Sequence, residues 1–336
     1  MQPQSAASLW EEMRSFGVKA VGFCALYAVF VFGTDSLYAR TPANRAHIVE
    51  YKDQRIRGSK HPRLVVAGGS SARYGVNSQV LQETFSDHTV TNAAISVHEG
   101  LLFYFHWLTP LLDDGDVLLL QLEHRMLTRK SGLYGNEALS KMTYSYADMN
   151  GFLTSSPRML HWYALQTPAR LKAQVRERRA HKTHLGHDLE ATTPTPDHDV
   201  FGDMSAPERK RPLRVMQEQL ALPHDENLQA LRAGVEALQA KGVVVVAAYQ
   251  PMAEGTYSRA KKATDEAMVQ ALQTGVPTLP VVNTPSQGVF AEEAFANTTF
   301  HLDRGPTRDA HTRILAEGVA KALQAQAQQK RPSSAK

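Results

Sequence analysis

Cysteine is nearly absent. Cys24 is the single one among 336 residues, so an internal disulfide framework and a metal-thiolate centre are both excluded. Because Cys24 lies in an apolar N-terminal segment, it does not report the redox compartment of the rest of the chain. A strong charge of one sign is missing too. The 37 Lys and Arg against 33 Asp and Glu leave a formal charge of +4, spread along the chain, which sets nucleic-acid binding aside. There are no internal repeats, and no metal or cofactor is expected. What remains is 43% hydrophobic and 21% charged residues, a globular composition able to bury a sizeable core.

The first long apolar run is FGVKAVGFCALYAVFVFG, beginning at Phe16 and ending at Gly33, with Lys19 as its one charge. Eighteen to twenty such residues, roughly, span a bilayer core, and a lysine near one end can snorkel to headgroups. Residues 1–15 read as an N-terminal tail and 16–34 as one transmembrane anchor. A cleaved signal peptide is the rival, with Leu37-Tyr38-Ala39 imitating a cleavage site, and a buried helix is the bland alternative. The run is long for a signal, Leu37 is a poor residue before a cut, and Glu11 and Glu12 are atypical ahead of it, so retention is preferred. Basic residues flank both ends and do not orient the span.

Residues 35–61 read as a polar connector, 62–327 as one α/β domain with an insertion at about 125–220, and 328–336 as a disordered tail. Within the domain, RLVVA (63–67), His88 to Asn92, DVLLLQL (116–122), VVVVAAY (243–249) and Val276 to Val282 read as strands. Their continuous apolar runs suit a parallel sheet covered on both faces. Helical patterns lie between them, from Val76 to Phe85, Glu99 to Leu112, 224 to 241, 256 to 274 and Thr307 to Gln326. Strands alternating with helices predict a doubly wound, three-layer α/β/α sandwich of flavodoxin-like type.

In such a sheet ligands bind beyond the carboxyl ends of the strands. Ser70 follows the first strand on a Gly-Gly turn and starts a helix, whose N-terminus favours a developing anion. Taken alone, GGSS is also what an ordinary turn and helix cap looks like. The last strand-to-helix junction, Asn297 to Asp303, supplies His301. A serine and a histidine at one sheet edge are a nucleophile and its general base.

The segment LVVAGGSSARYGVN resembles the first block of SGNH/GDSL hydrolases, especially their membrane-anchored branch, where an aromatic-Gly pair follows the serine as Tyr74 and Gly75 do here. Val90 to Ser96 is similar to the second block, and Phe300-His301-Leu302 with Arg313 and Leu315 to the last. The likeness covers about 63–125 and 224–326. It implies Ser70 as nucleophile and His301 as base; where the family has an acidic residue to orient the imidazole, Asn297 or Thr298 stands, and an Asn can still hold the tautomer. It implies an oxyanion hole from the amides of Ser70 and Ala94, with His124 or Arg125 as further donors, and Ser71, Arg73 and Glu123 against substrate. Gly69 stands where the family has Asp, Ala94 where it has Gly, and Glu123, His124 and Arg125 where it has the third-block Asn. The anchored branch resembles proteins of polysaccharide O-acetylation and teichoic-acid D-alanylation. The expectation is therefore O-acyl transfer or ester hydrolysis on a cell-envelope polysaccharide, beside a membrane-bound O-acyltransferase that supplies the acyl group. The domain would face the periplasm or the outside from the inner membrane. The rival is a non-catalytic subunit of the same fold that binds polysaccharide or scaffolds an export complex.

Lesser signals lie in the insertion. His181, His184, His187, Asp188 and His198 sit in a polar loop where chance spacing outweighs metal binding. Arg170, Lys172, Arg176, Arg178, Arg179 and Lys182 read as a solvated basic helix before they read as a headgroup or polysaccharide surface. Trp107 and Trp162 are core or sugar-stacking residues.

Overall fold

Three apolar runs too long and too uniform to leave one side in water make the centre of a parallel sheet. A computed structural model describes residues 46–129 and 221–330, with Phe201, Asp203, Leu213 and part of 14–29. The chain divides into two compact units, Met1–Ala46 with Ser140–His187 and His47–Leu139 with Asp188–Lys336.

In the second unit the described elements run α1 (Ala46–Gly58), β1 (Arg63–Gly68), α2 (Ser70–Gly75), α3 (Ser78–Thr84), β2 (Thr89–Asn92), α4 (Leu101–Leu108), β3 (Val117–Leu122) and α5 (His124–Thr128). They continue as α6 (Asp225–Ala240), β4 (Val244–Tyr249), β5 (Met252–Ala253), α7 (Arg259–Gly275), β6 (Val289–Phe290) and α8 (Pro306–Lys330). The main sheet has the order β2-β1-β3-β4 and every pairing is parallel. This is an α/β fold with the strand order of flavodoxin-like sheets.

Every residue of β1, β3 and β4 is buried, because alternate side chains meet helices on opposite faces. Leu64, Val66, Leu119 and Val246 pack with Ala72 and Leu81, and with Leu315 and Val319 of α8. The other face lies under α4 and α6. There Leu231, Val235 and Leu238, spaced at helical intervals on α6, are fully buried, and Gly234 lets the helix close on α4: a Cβ there would stand 2.3 Å from the Phe105 ring. Each fully buried Val, Leu or Phe contributes about 1.5–3 kcal/mol.

Beneath the amino ends of β1 and β3, Arg63 donates to Asp116 from Nε (3.0 Å) and Nη2 (2.6 Å) and to the Ile56 carbonyl from Nη1 (3.0 Å). Burial alone would raise the Asp116 carboxyl, but the Arg63 guanidinium and the amides of Asp113 and Arg63 hold it below the usual range.

Several boundaries differ from expectation. The connector 35–61 is not wholly a connector, since its second half is α1, a core helix. Val49 and Ile56 are buried, Lys52 Nζ donates to the Asn92 carbonyl (2.6 Å), and Asp53 accepts from the Trp107 indole (3.0 Å). Trp107 is thus a core residue and not a sugar platform. The helix placed from Val76 starts two residues later, because Asn77 caps α3 with its side chain on the Gln79 amide, and a separate short helix, α2, precedes it from Ser70. The strand at 276–282 shrinks to one parallel bridge between Val281 and Ala247, as expected where Pro277 and Pro280 have no N–H to give a ladder. The last helix runs to Lys330, three residues into the expected tail. Most of the insertion, with its histidines, basic run and Trp162, lies outside the described residues. Of the part that is described, Asp203 is fully buried and accepts from Ser78 N (2.8 Å), Ser78 Oγ (2.6 Å) and Asn92 Nδ2 (2.9 Å), and the Phe201 carbonyl accepts from the Asn92 amide (2.8 Å).

Of the segment 16–34, residues 16–19, 21–23, 25, 26 and 29 are described, and all are helical. Phe16, Val18, Val21, Phe23, Leu26 and Val29 are each 69–74% exposed. Among the described residues no helix is long and apolar enough to cross a membrane.

His311 on α8 is fully buried, and neither ring nitrogen has a hydrogen-bond partner. Burial lowers its pKa to about 4. An unfolded chain takes up this proton near pH 6.5, the folded one only near 4, so stability falls as pH drops between those values. His311→Leu is expected to lose about 2 kcal/mol less than the parent between pH 7 and pH 5 in urea unfolding. Equal losses in the two proteins would show that His311 does not titrate this way.

Candidate active site

β1 ends at Gly68, whose φ of +147° suits glycine, and the chain turns through Gly69 into α2. Gly69 caps this helix without a side chain of its own, so Ser70 occupies the first helical position at the carboxyl end of the sheet. Its N–H precedes the intrahelical ladder.

The partner comes from the loop before α8. Phe295 and Leu302 form an antiparallel bridge, and the Ala296 amide donates to the His301 carbonyl at 2.9 Å. Phe295, Phe300 and Leu302 are buried, and the Thr299 carbonyl accepts from the Ala253 amide (2.9 Å), so the loop is pinned to β5. Its tip presents Asn297 and His301 side by side.

Across 231 residues of sequence, His301 Nε2 lies 2.9 Å from Ser70 Oγ. On the other side of the ring, Nδ1 lies 2.9 Å from Asn297 Oδ1. An amide oxygen can only accept, so Nδ1 carries the proton and Nε2 is free to accept from the serine hydroxyl. Tyr74 lies against the imidazole, with centroids 4.9 Å apart, and Arg73 sits 5.4 Å from the Tyr74 ring centroid. Burial, with the Arg73 charge added, lowers the His301 pKa to about 4. The imidazole is therefore neutral at physiological pH.

The other expected roles divide. Ala94 does not offer its amide as an oxyanion donor: the residue is fully buried and its N–H donates to Asn92 Oδ1 at 2.9 Å. The short side chain of Asn92 folds back on the backbone two residues on, as Asn does in turns. Ser71 and Glu123 are not open to substrate, because Ser71 N (2.9 Å) and Oγ (2.8 Å) both donate to Glu123 Oε1. His124 is buried with Nδ1 3.3 Å from Lys261 Nζ, 3.4 Å from Tyr249 Oη and 3.5 Å from Asp265 Oδ1, and belongs to that polar cluster at the ends of β3 and β4. Arg125 is half-buried at the start of α5. Arg73 remains beside the imidazole. Among the described residues no cluster of three or more His, Cys, Asp or Glu could hold a metal ion.

Three contributors carry no signal in their own neighbourhood. Tyr74 entered only as half of an aromatic-Gly pair, yet it flanks the histidine. Tyr104 places its hydroxyl between the Gly68 carbonyl, to which it donates, and the amides of Ile95 (3.1 Å) and Ser96 (3.3 Å). Asp203 ties α3 to Asn92 from within the insertion. An aromatic in an apolar helix and an aspartate in a polar loop look like many others, and only the contacts distinguish them.

The titration of His301 is testable by NMR. Its midpoint is expected near pH 4 in the parent protein. Asn297→Asp sets a carboxylate against Nδ1–H, favours the imidazolium and should raise the midpoint by about one unit or more. An unmoved midpoint would detach residue 297 from the ring.

No family model matches the chain, and no curated protein matches it either. Among solved structures it is similar to the crystal structure of protein YxiM from Bacillus subtilis, at 10% sequence identity and a TM-score of 0.35. The match covers 80% of this chain and 58% of that one, so the chain spans less than two thirds of that protein's length.

Proposed function

We propose that this chain is a serine-dependent esterase or O-acyltransferase of the SGNH/GDSL type. It is held at a membrane by its N-terminal segment and acts on O-acyl groups of a cell-envelope polysaccharide. The observation that carries the reading is the 2.9 Å contact between Ser70 Oγ and a neutral, Asn-oriented His301.

In this reading Ser70 Oγ attacks the ester carbonyl while its proton passes to His301 Nε2. Asn297 Oδ1 keeps the other ring nitrogen protonated, so the base presents its lone pair to the serine. The carbonyl oxygen becomes an anion next to the N–H of Ser70 at the start of α2, where amide and helix dipole both favour negative charge. Collapse of the tetrahedral species returns the proton from Nε2 to the leaving alcohol and leaves an acyl-serine. Water or a sugar hydroxyl, deprotonated by the same nitrogen, then takes the acyl group.

The exposed apolar residues from Phe16 to Val29 support the anchor. Large apolar side chains at this exposure are unfavourable in water, and each gains about 1.5–3 kcal/mol on entering hydrocarbon. A protein that receives acyl groups from a membrane donor has a physical reason to remain at that surface. The expected supply is a membrane-bound O-acyltransferase, and the expected setting the outer side of the inner membrane.

One observation favours a second reading, a non-catalytic subunit that binds polysaccharide or scaffolds an envelope complex. The Ala94 amide is spent on Asn92, which leaves the oxyanion fewer donors than an acyl-transfer site ordinarily has, and each donor is worth roughly 2.7–4 kcal/mol.

A serine-directed phosphonate separates the two. The full-length protein should be labelled at Ser70, and Ser70→Ala should abolish labelling. His301→Ala should slow it by about a hundredfold or more, the usual contribution of a general base. Labelling that persists in Ser70→Ala rejects the nucleophile; an unlabelled parent protein favours the non-catalytic subunit. Release of acetate into water, against transfer to a glycan acceptor, separates esterase from transferase.

A further inference from the structure

The turn that presents Ser70 is shaped by a side chain from another strand. Gly69 has no side chain to cap α2, so the amides at the start of that helix need an acceptor from elsewhere. Glu123, the residue after β3, provides it. Its Oε1 accepts from Ser71 N at 2.9 Å and from Ser71 Oγ at 2.8 Å. Gln121 Nε2, two residues earlier, donates to the same Ser71 hydroxyl at 3.2 Å. Glu123 is only 8% exposed. The carboxylate also occupies the space in front of position 69: a Cβ there would lie 2.0 Å from Oε1 and 2.4 Å from Cδ. Atoms do not approach that closely, so the Glu123 carboxylate leaves no room for a side chain at 69, and the Val97 amide nitrogen, 2.8 Å from the same point, closes the space further.

We propose that Glu123 is a positioning residue for Ser70, its carboxylate filling the volume left open at Gly69 and holding the first turn of α2 through Ser71. The proposal rests on the reading of Ser70 as the nucleophile. Glu123 spends the oxygen facing the turn on two hydrogens from Ser71. It acts by fixing where the backbone of residues 69–71 lies, and with it the direction of the Ser70 hydroxyl and amide. A displacement of about 1 Å in such a group costs on the order of a hundredfold in rate. The same contact accounts for Ser71 and Glu123 being closed to substrate: they are occupied with each other.

The test is the rate of phosphonate labelling at Ser70 in the full-length protein, divided by the folded fraction, with Tm measured alongside. Glu123→Ala should label at least about tenfold more slowly per folded molecule. Glu123→Gln, whose amide oxygen accepts the same two hydrogens, should stay within about threefold of the parent, since a neutral acceptor keeps the geometry. A purely structural role predicts a lower Tm with an unchanged rate per folded molecule, which overturns the proposal. If Glu123→Ala does not fold, Glu123→Asp decides, because a shorter side chain withdraws the carboxylate. Glu123→Asp should then label at least about tenfold more slowly per folded molecule, and an equal rate overturns the idea. An unlabelled parent protein defeats the nucleophile reading, and this proposal with it. A labelled parent with an equally fast Glu123→Ala defeats this proposal alone.

Discussion

The register between β1 and β3 is the constraint on which the rest depends. Parallel pairing sets Gly68 opposite Gln121, so the turn after one strand and the residues after the other emerge together at the same edge. With both faces of the sheet covered by helices, its carboxyl edge is where polar groups can gather without being buried unpaired. β4 brings Tyr249 to that edge in register with Leu122, and the chain beyond it carries the loop that bears His301. A one-residue slip between β1 and β3 would turn Gln121 and its neighbours to the wrong faces and move Glu123 away from Ser71. It would separate the serine turn from the groups that hold it.

The electrostatics of the pair depart from the familiar arrangement in which a carboxylate backs the histidine. Asn297 fixes the tautomer as a carboxylate does, but it gives no charge to stabilise an imidazolium. Arg73 opposes one, and burial opposes it further. The imidazole thus stays available as an acceptor over a wide pH range, but it is a weak base, with less driving force for taking a proton than one poised near neutrality.

The long apolar runs were legible as strands because nothing polar interrupts them, and α6 was legible to within a residue because Lys241-Gly242 marks its end. Ser70 and His301 could be singled out because each follows a strand or bridge at the ligand-binding edge. What stayed hidden depended on partners far along the chain. The Ala94 amide looked available until Asn92 was seen to fold onto it. Glu123 looked like a residue for substrate because nothing near it in sequence shows that Gly69 leaves room for its carboxylate. The last strand failed for a local reason, its two prolines, which could have been weighed. The burial of α1 could not, since its stretch of Lys, Asp and Arg is as polar as a surface linker. The Asn92 carbonyl and the Trp107 indole, with Arg57 on Asp53, show where those charges go.

That helix bears on how the unit carrying Ser70 and His301 can be separated from the apolar segment ahead of it. A fragment beginning at the first strand would lack Lys52 beneath the end of β2 and Asp53 beneath Trp107, and would uncover the surface against which Val49 and Ile56 rest. Water would then reach the underside of the strand that leads to Asn92. The smallest soluble form faithful to the intact molecule has to start ahead of Ala46, and a shorter one that proved inert would say nothing about the chemistry of the whole.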